Sequence, residues 1–341
     1  MRRLVFLDWL RILAIVAVLT IHISSGYVLT NFYSSPSSWL AGNFYESLVR
    51  WCVPIFVMIT GALLLNDPKE YSYKFFLIKR VGKVFTPLLG WSIIYYLYFV
   101  FKGEMDFSIT EFIRKFSTNG ISIHFWYIYM LLGLYLVTPL LKILLKRATK
   151  KDITYFLLLW LYASVISRLI KHIYGFSFEI ELHFVTEYIG YYLLGYYLVK
   201  YHLPWIIRKI IYIFAFIGII ATFILTYYST VKAEGILEEF WYDYHSPTVL
   251  LVSIGLFTFF KHKKFEIGYS LPFLPYVINK TNFGIYLVHL LVMHIFENEL
   301  PMLWLNVHSS IAIPYRVALT MALSILIVTI IKKIPLLKKL V

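Results

Sequence analysis

The sequence predicts an all-α polytopic membrane protein, a transmembrane helical bundle of about ten spans with both termini in the cytoplasm. Three observations predict it. First, 60% of the 341 residues are hydrophobic and only 15% are charged, whereas a soluble domain carries roughly 25% charged residues. The mean hydropathy of +0.74 says the same. Second, the apolar residues gather into runs at 9–29, 44–65, 84–101, 123–145, 153–171, 184–200, 207–228, 247–260, 282–297 and 311–331. Most are close to the ~20 residues that a spanning helix needs. Third, the basic residues alternate between successive loops.

That alternation sets the direction of the bundle. One set of loops holds 23 of the 32 lysines and arginines, from Arg2 and Arg3 through Lys79, Arg80 and Lys83 to Lys338 and Lys339. The alternate loops hold six: Lys102, Arg114, Lys115, Arg168, Lys171 and Lys232. Arg11, Arg50 and Arg316 fall inside spans. Positive charge is retained on the cytoplasmic side, so the first set and both termini are expected there. The net charge of +14 is then a topology signal, and no nucleic-acid partner is expected. No polar stretch is long enough to fold alone, so residues 1–341 are expected to form one membrane domain. Cys52 is the single cysteine, which excludes an intrachain disulfide and a cysteine-based metal site. No P-loop, GxGxxG, HExxH or GxSxG pattern occurs. Arg2 and Arg3 ahead of an apolar run resemble a signal peptide, but Asp8 and Arg11 interrupt that run.

Ionisable residues inside spans are costly there and mark function by default. The first span carries Asp8, Arg11 and His22. At 3.6 residues per turn, Arg11 and His22 are offset by three turns plus about 20°, and Asp8 and His22 by four turns less about 40°. All three share one helix face, with His22 about 16 Å outward of Arg11. A snorkelling interfacial Arg and an interhelical His is the bland alternative, and the shared face weighs against it. The second span carries Glu46 and Arg50, four residues apart and ahead of Pro54. This is either a structural ion pair beside a kink or a group for an anionic acceptor or developing oxyanion.

Lys79, Arg80 and Lys83 precede the third span, where topology alone asks for positive charge and a phosphorylated ligand would use it. His124 and Trp126 open the fourth span, and His289 lies within the ninth; these are candidate substrate contacts. Glu179, Glu181, His183 and Glu187 cluster at the outer start of the sixth span. No spacing there fixes ligand geometry, and no metal is expected.

Several segments together resemble one family. They are Phe6-Leu7-Asp8-Trp9-Leu10-Arg11 followed by His22, the stretch 53–65, Arg80-x-x-Lys83 ahead of Pro87, and the stretches 124–141 and 282–292. This series resembles the acyltransferase-3 family of integral membrane acyltransferases, in its surface-polysaccharide branch. Thr60-Gly61 departs from the commoner Ser-Gly. The resemblance implies transfer of an acyl group, acetyl above all, from cytoplasmic acyl-CoA to an acceptor outside. The acceptor it implies is a cell-surface glycan or lipid-linked saccharide, and the location is the cell membrane, multi-pass. It implies that His22 is catalytic, Arg11 its essential companion, and Arg80 and Lys83, with Lys79 beside them, the holders of the CoA phosphates. His22 would act as general base or be acylated itself. Either role needs a neutral imidazole, so activity is expected to fall as pH drops through about 6, near the reference histidine value. Ten helices with a polar stripe would equally suit an exporter of saccharides or lipid-linked sugars.

Overall fold

The computed structural model describes residues 4–69, 72–178, 180, 182–263, 272–304 and 307–341. Arg2, Arg3, Glu179, Glu181 and Lys264 lie outside the described residues. Among those described, the chain is helical throughout, with no strand. The helices are α1 (Val5–Val28), α2 (Pro36–Val49), α3 (Cys52–Leu64), α4 (Tyr73–Phe101), α5 (Ile109–Ser117), α6 (Trp126–Arg147), α7 (Lys150–Leu161), α8 (Ser167–Tyr174), α9 (Ile189–Lys200), α10 (Trp205–Lys232), α11 (Pro247–His262), α12 (Phe273–Asn298) and α13 (Ser309–Lys333).

Among the described residues, seven segments are long and apolar enough to cross a bilayer: Val5–Val28, Pro36–Leu64, Tyr73–Phe101, Ile123–Arg147, Lys150–Tyr174, Trp205–Lys232 and Ser309–Lys333. They coincide with seven of the ten expected runs. The other three runs fall on α9, α11 and α12, which have 12, 16 and 26 residues. The first two are short. The third carries Lys280, Asn282, His289 and His294, which dilute its apolar character.

Two expected boundaries shift. The second span begins at Pro36, not near residue 44, and it breaks at Arg50–Trp51 between α2 and α3. Pro54 has no N–H to give the Arg50 carbonyl, so the helical ladder lapses there. The third span begins at Tyr73, where the Ser72 side chain accepts the Phe75 N–H. Lys79, Arg80 and Lys83 are therefore helical rather than in a turn.

The chain divides into two compact units. The first comprises Met1–Asp67, Leu144–Asn279 and Leu305–Ala318. In it α1 packs against α2, α3 and α11, α3 packs against α9, and α10 packs against α2 and α11. The crossing of α3 and α9 is backbone on backbone. Gly61 meets the Tyr192 carbonyl, and Gly195 meets the Met58 carbonyl. Any side chain at either place would hold the helices apart.

The second unit comprises Pro68–Ile143, Lys280–Trp304 and Leu319–Val341. Tyr95 of α4 ties it to α12, donating to the Leu287 carbonyl at 3.0 Å and accepting the Leu291 N–H at 2.9 Å. Trp91 Nε1 donates to the Leu340 carbonyl at 2.9 Å, which holds the C-terminal turn on α4.

Candidate active site

Helix α1 runs unbroken from Val5 to Val28, so Asp8, Arg11 and His22 keep the shared face that their spacing predicts. Arg11 Nη1 donates to Asp8 Oδ1 at 3.2 Å, one turn back on the same helix. His22 is half-buried. The charge that acts on its imidazole is the guanidinium of Arg50. Residues from the first and second spans, 28 positions apart in sequence, thus come within electrostatic reach of each other.

Arg50 is held from two sides. Its Nη2 lies 2.6 Å from Glu46 Oε2, and the Glu46 side chain is fully buried. Its guanidinium carbon sits 4.2 Å above the centre of the Tyr242 ring. Tyr242 is fixed in turn, since its hydroxyl donates to Asn43 Oδ1 at 2.5 Å. Asn43 also accepts from Ser47 Oγ at 3.1 Å and donates to the Phe223 carbonyl at 3.1 Å. Below its hydroxyl, Tyr242 packs into an apolar cluster with Val28, Phe32 and Trp39. The segment that carries Tyr242 is anchored by Gly235, whose carbonyl accepts the Phe32 N–H at 2.9 Å. Gly235 has φ of 83°, a left-handed conformation that favours glycine. After these contacts, the Arg50 Nε–H is buried with no acceptor among the described residues.

Arg50 also lines a cavity of about 550 Å³ within the first unit. Arg168 and Lys171 of α8 line it from one side, and Glu238, Asp243 and His245 from the segment between α10 and α11. Arg168 Nη2 lies 2.5 Å from Glu187 Oε1, and its Nη1 lies 3.5 Å from Asp243 Oδ1. Burial raises the Asp243 pKa, but the hydrogen bonds and charge of His245, with Arg168 beside them, outweigh it and hold the carboxyl below its ordinary value. A π turn at Tyr162–Ile166 precedes α8. Ser164 of that turn accepts the Glu187 N–H at 3.1 Å and so places the carboxylate that holds Arg168. Such turns recur at functional sites.

The remaining candidates fall in the second unit. Lys79 and Lys83, exposed and one turn apart, share a side of α4 with Arg80, which is half-buried. Lys79 Nζ lies 4.9 Å from the centre of the Phe75 ring. His124 and His289 are brought together, with ring centroids 5.1 Å apart and both side chains buried. His124 Nδ1 pairs with Ser122 Oγ at 2.9 Å, and His289 Nδ1 with the Tyr286 carbonyl at 2.7 Å. Tyr286 donates to the His124 carbonyl. Trp126 is half-buried at the start of α6.

A model of one protein family, described as an acyltransferase domain, matches residues 4–332. The chain belongs to the acyltransferase-3 family. It is a membrane acyltransferase with a multi-pass helical body. No curated protein and no solved structure matches it. Residues that sequence reasoning did not single out for the site now stand around Arg50, foremost Tyr242 and Asn43. The one signal that could have found them is the acidic and aromatic composition of segment 234–245.

Proposed function

We propose that the protein transfers an acyl group, acetyl in the first instance, from cytoplasmic acyl-CoA to a hydroxyl of an extracytoplasmic or lipid-linked cell-surface glycan. The observation that carries this reading is that the Arg50 charge acts on His22 in a chain of this family. His22 takes the proton of the acceptor hydroxyl as its oxygen attacks the thioester carbonyl carbon. The carbon–sulfur bond then breaks, and the imidazolium returns the proton to the departing CoA thiolate. Arg50 offers N–H donors to the oxygen on which charge gathers. Glu46 holds that guanidinium in place. Arg11 supports the same face of α1 nearer the cytoplasmic end.

Lys79, Arg80 and Lys83 suit the phosphates of the donor. Three cations on adjacent turns of one helix match several phosphate groups better than a single anion. His124, His289 and Trp126 remain candidates for substrate contact. The positive-inside bias of the sequence supports a cytoplasmic donor stripe and a segment 234–245 on the outer side.

The test uses membranes that contain the full chain and radiolabelled acetyl-CoA. Wild type labels envelope glycan, and His22→Ala leaves only the background of membranes without the protein. Equal labelling by the two would overturn the role of His22. Absence of label with wild type would overturn the proposed transfer from acetyl-CoA to envelope glycan.

A further inference from the structure

The cavity beside Arg50 has a graded wall. Lys171, His172, Glu239 and Asp243 are exposed, whereas Tyr242 and His245 are buried and the Arg50 side chain is only 17% exposed. The exposed groups form its mouth, and Arg50 lies at its base. The base is therefore where the cavity meets the charge that acts on His22.

Its charges nearly cancel. Arg50, Arg168 and Lys171 face Glu238, Glu239 and Asp243 across the lining. Two of the three cations are already engaged, Arg50 by Glu46 and Arg168 by Glu187 and Asp243. A site for a phosphate or a carboxylate needs cations in excess, and this one has none. It offers instead carboxylates that accept from hydroxyls and guanidinium groups that donate to them.

The mouth also carries a flat apolar face. The His172 and Phe240 rings stack at 3.8 Å and 3°. Trp241 abuts the pair edge-on, 5.6 Å from His172 and 5.0 Å from Phe240. A sugar ring presents hydroxyls at its rim and C–H bonds on its faces, and aromatic rings pack on such faces. The volume of about 550 Å³ lies in the usual range for small-ligand sites, enough for one or two sugar rings.

We propose that this cavity is the acceptor site and that it takes an uncharged saccharide unit, stacked at Phe240 with its reacting hydroxyl toward Arg50. The inference rests on the acyl transfer proposed above. It adds a place and a charge class for the acceptor. The part of the Arg50 side chain that stays exposed where it lines the cavity gives the incoming hydroxyl oxygen a charged donor.

The test measures competition against label transfer from acetyl-CoA to envelope glycan, in membranes containing the full chain. The competitors are methyl glycosides of glucose, galactose, mannose and N-acetylglucosamine, set against glucuronic acid and glucose 6-phosphate. We expect at least one neutral glycoside to reduce labelling and neither anion to do so. Phe240→Ala should weaken that competition about tenfold, and Phe240→Tyr, which keeps the ring, should restore it. Competition by the anions instead, competition by none of the compounds, or competition indifferent to Phe240→Ala would overturn the proposal. In all three outcomes wild type still labels glycan, so the acyl-transfer reading stands. Loss of labelling by wild type itself would remove both.

Discussion

Replacing Glu46 separates the structural and the catalytic roles of Arg50. The Glu46 side chain is 0% exposed, Arg50 is 17% exposed, and the two meet at 2.6 Å. Removing one partner of a buried ion pair strands the other charge, at about 3–5 kcal/mol. Arg50 keeps the Tyr242 ring at 4.2 Å and an opening to the cavity, so Glu46→Ala should cost about 3 kcal/mol, the low end of that range. For a cooperative unit of 150–250 residues, this lowers Tm by roughly 6–12 °C. The purified protein in detergent would be followed by intrinsic tryptophan fluorescence on heating, and label transfer measured in parallel. The decisive variant is the double replacement Glu46→Leu with Arg50→Met. Apolar side chains of similar size often restore what a broken buried pair loses, so stability should return while transfer stays at background. A double variant that transfers label at the wild-type rate would refute the reasoning, because Arg50 would then be structural only.

Three further predictions follow from other parts of the molecule. Gly61→Ala pushes a methyl group into the Tyr192 carbonyl, and overpacking of this kind costs typically about 1–3 kcal/mol; an unchanged melting curve would count against the close crossing of α3 and α9. Asp243 has a depressed pKa in the folded chain, so its contribution is present above the unfolded carboxylate value near 3.9 and is lost as pH falls through the lower folded value. Since its side chain is 45% exposed, Asp243→Asn should cost under about 1 kcal/mol at pH 7, and a loss that does not shrink as pH is lowered beyond the unfolded carboxylate value would contradict the assignment. The pair Arg80→Ala with Lys83→Ala should raise KM for acetyl-CoA about tenfold with little change in kcat, whereas an unchanged KM would move the donor site elsewhere.

The sequence made α1 legible almost entirely. Its face of Asp8, Arg11 and His22 follows from helical period alone, and the helix is continuous. The glutamate and arginine of the second span were legible as a pair, because four residues make one turn. The break beside them was only half legible. Pro54 announced a kink, but Ser34, Ser35, Ser37 and Ser38 hid the start of α2 at Pro36 behind a polar stretch. Helix α5 was missed for a similar reason. Its nine residues alternate charge with aromatic and aliphatic side chains and never form an apolar run. The Tyr242 clamp was not legible at all. Its hydrogen bond to Asn43 joins residues 199 positions apart, and no local pattern encodes such a meeting. The π turn before α8 left no mark either, since Tyr162–Ile166 reads as ordinary span.

The central claim is that one chain moves an acyl group from a donor supplied on one face of the membrane to an acceptor on the other, with His22 as the base. Purified protein sealed into vesicles tests it most directly, with labelled acetyl-CoA inside and glycan acceptor outside, and chains of the cytoplasm-inward orientation selected. The account predicts that wild type labels the outer acceptor and that His22→Ala does not. Label that reaches an acceptor only when it shares a compartment with acetyl-CoA, or label that appears equally with His22→Ala, would contradict it.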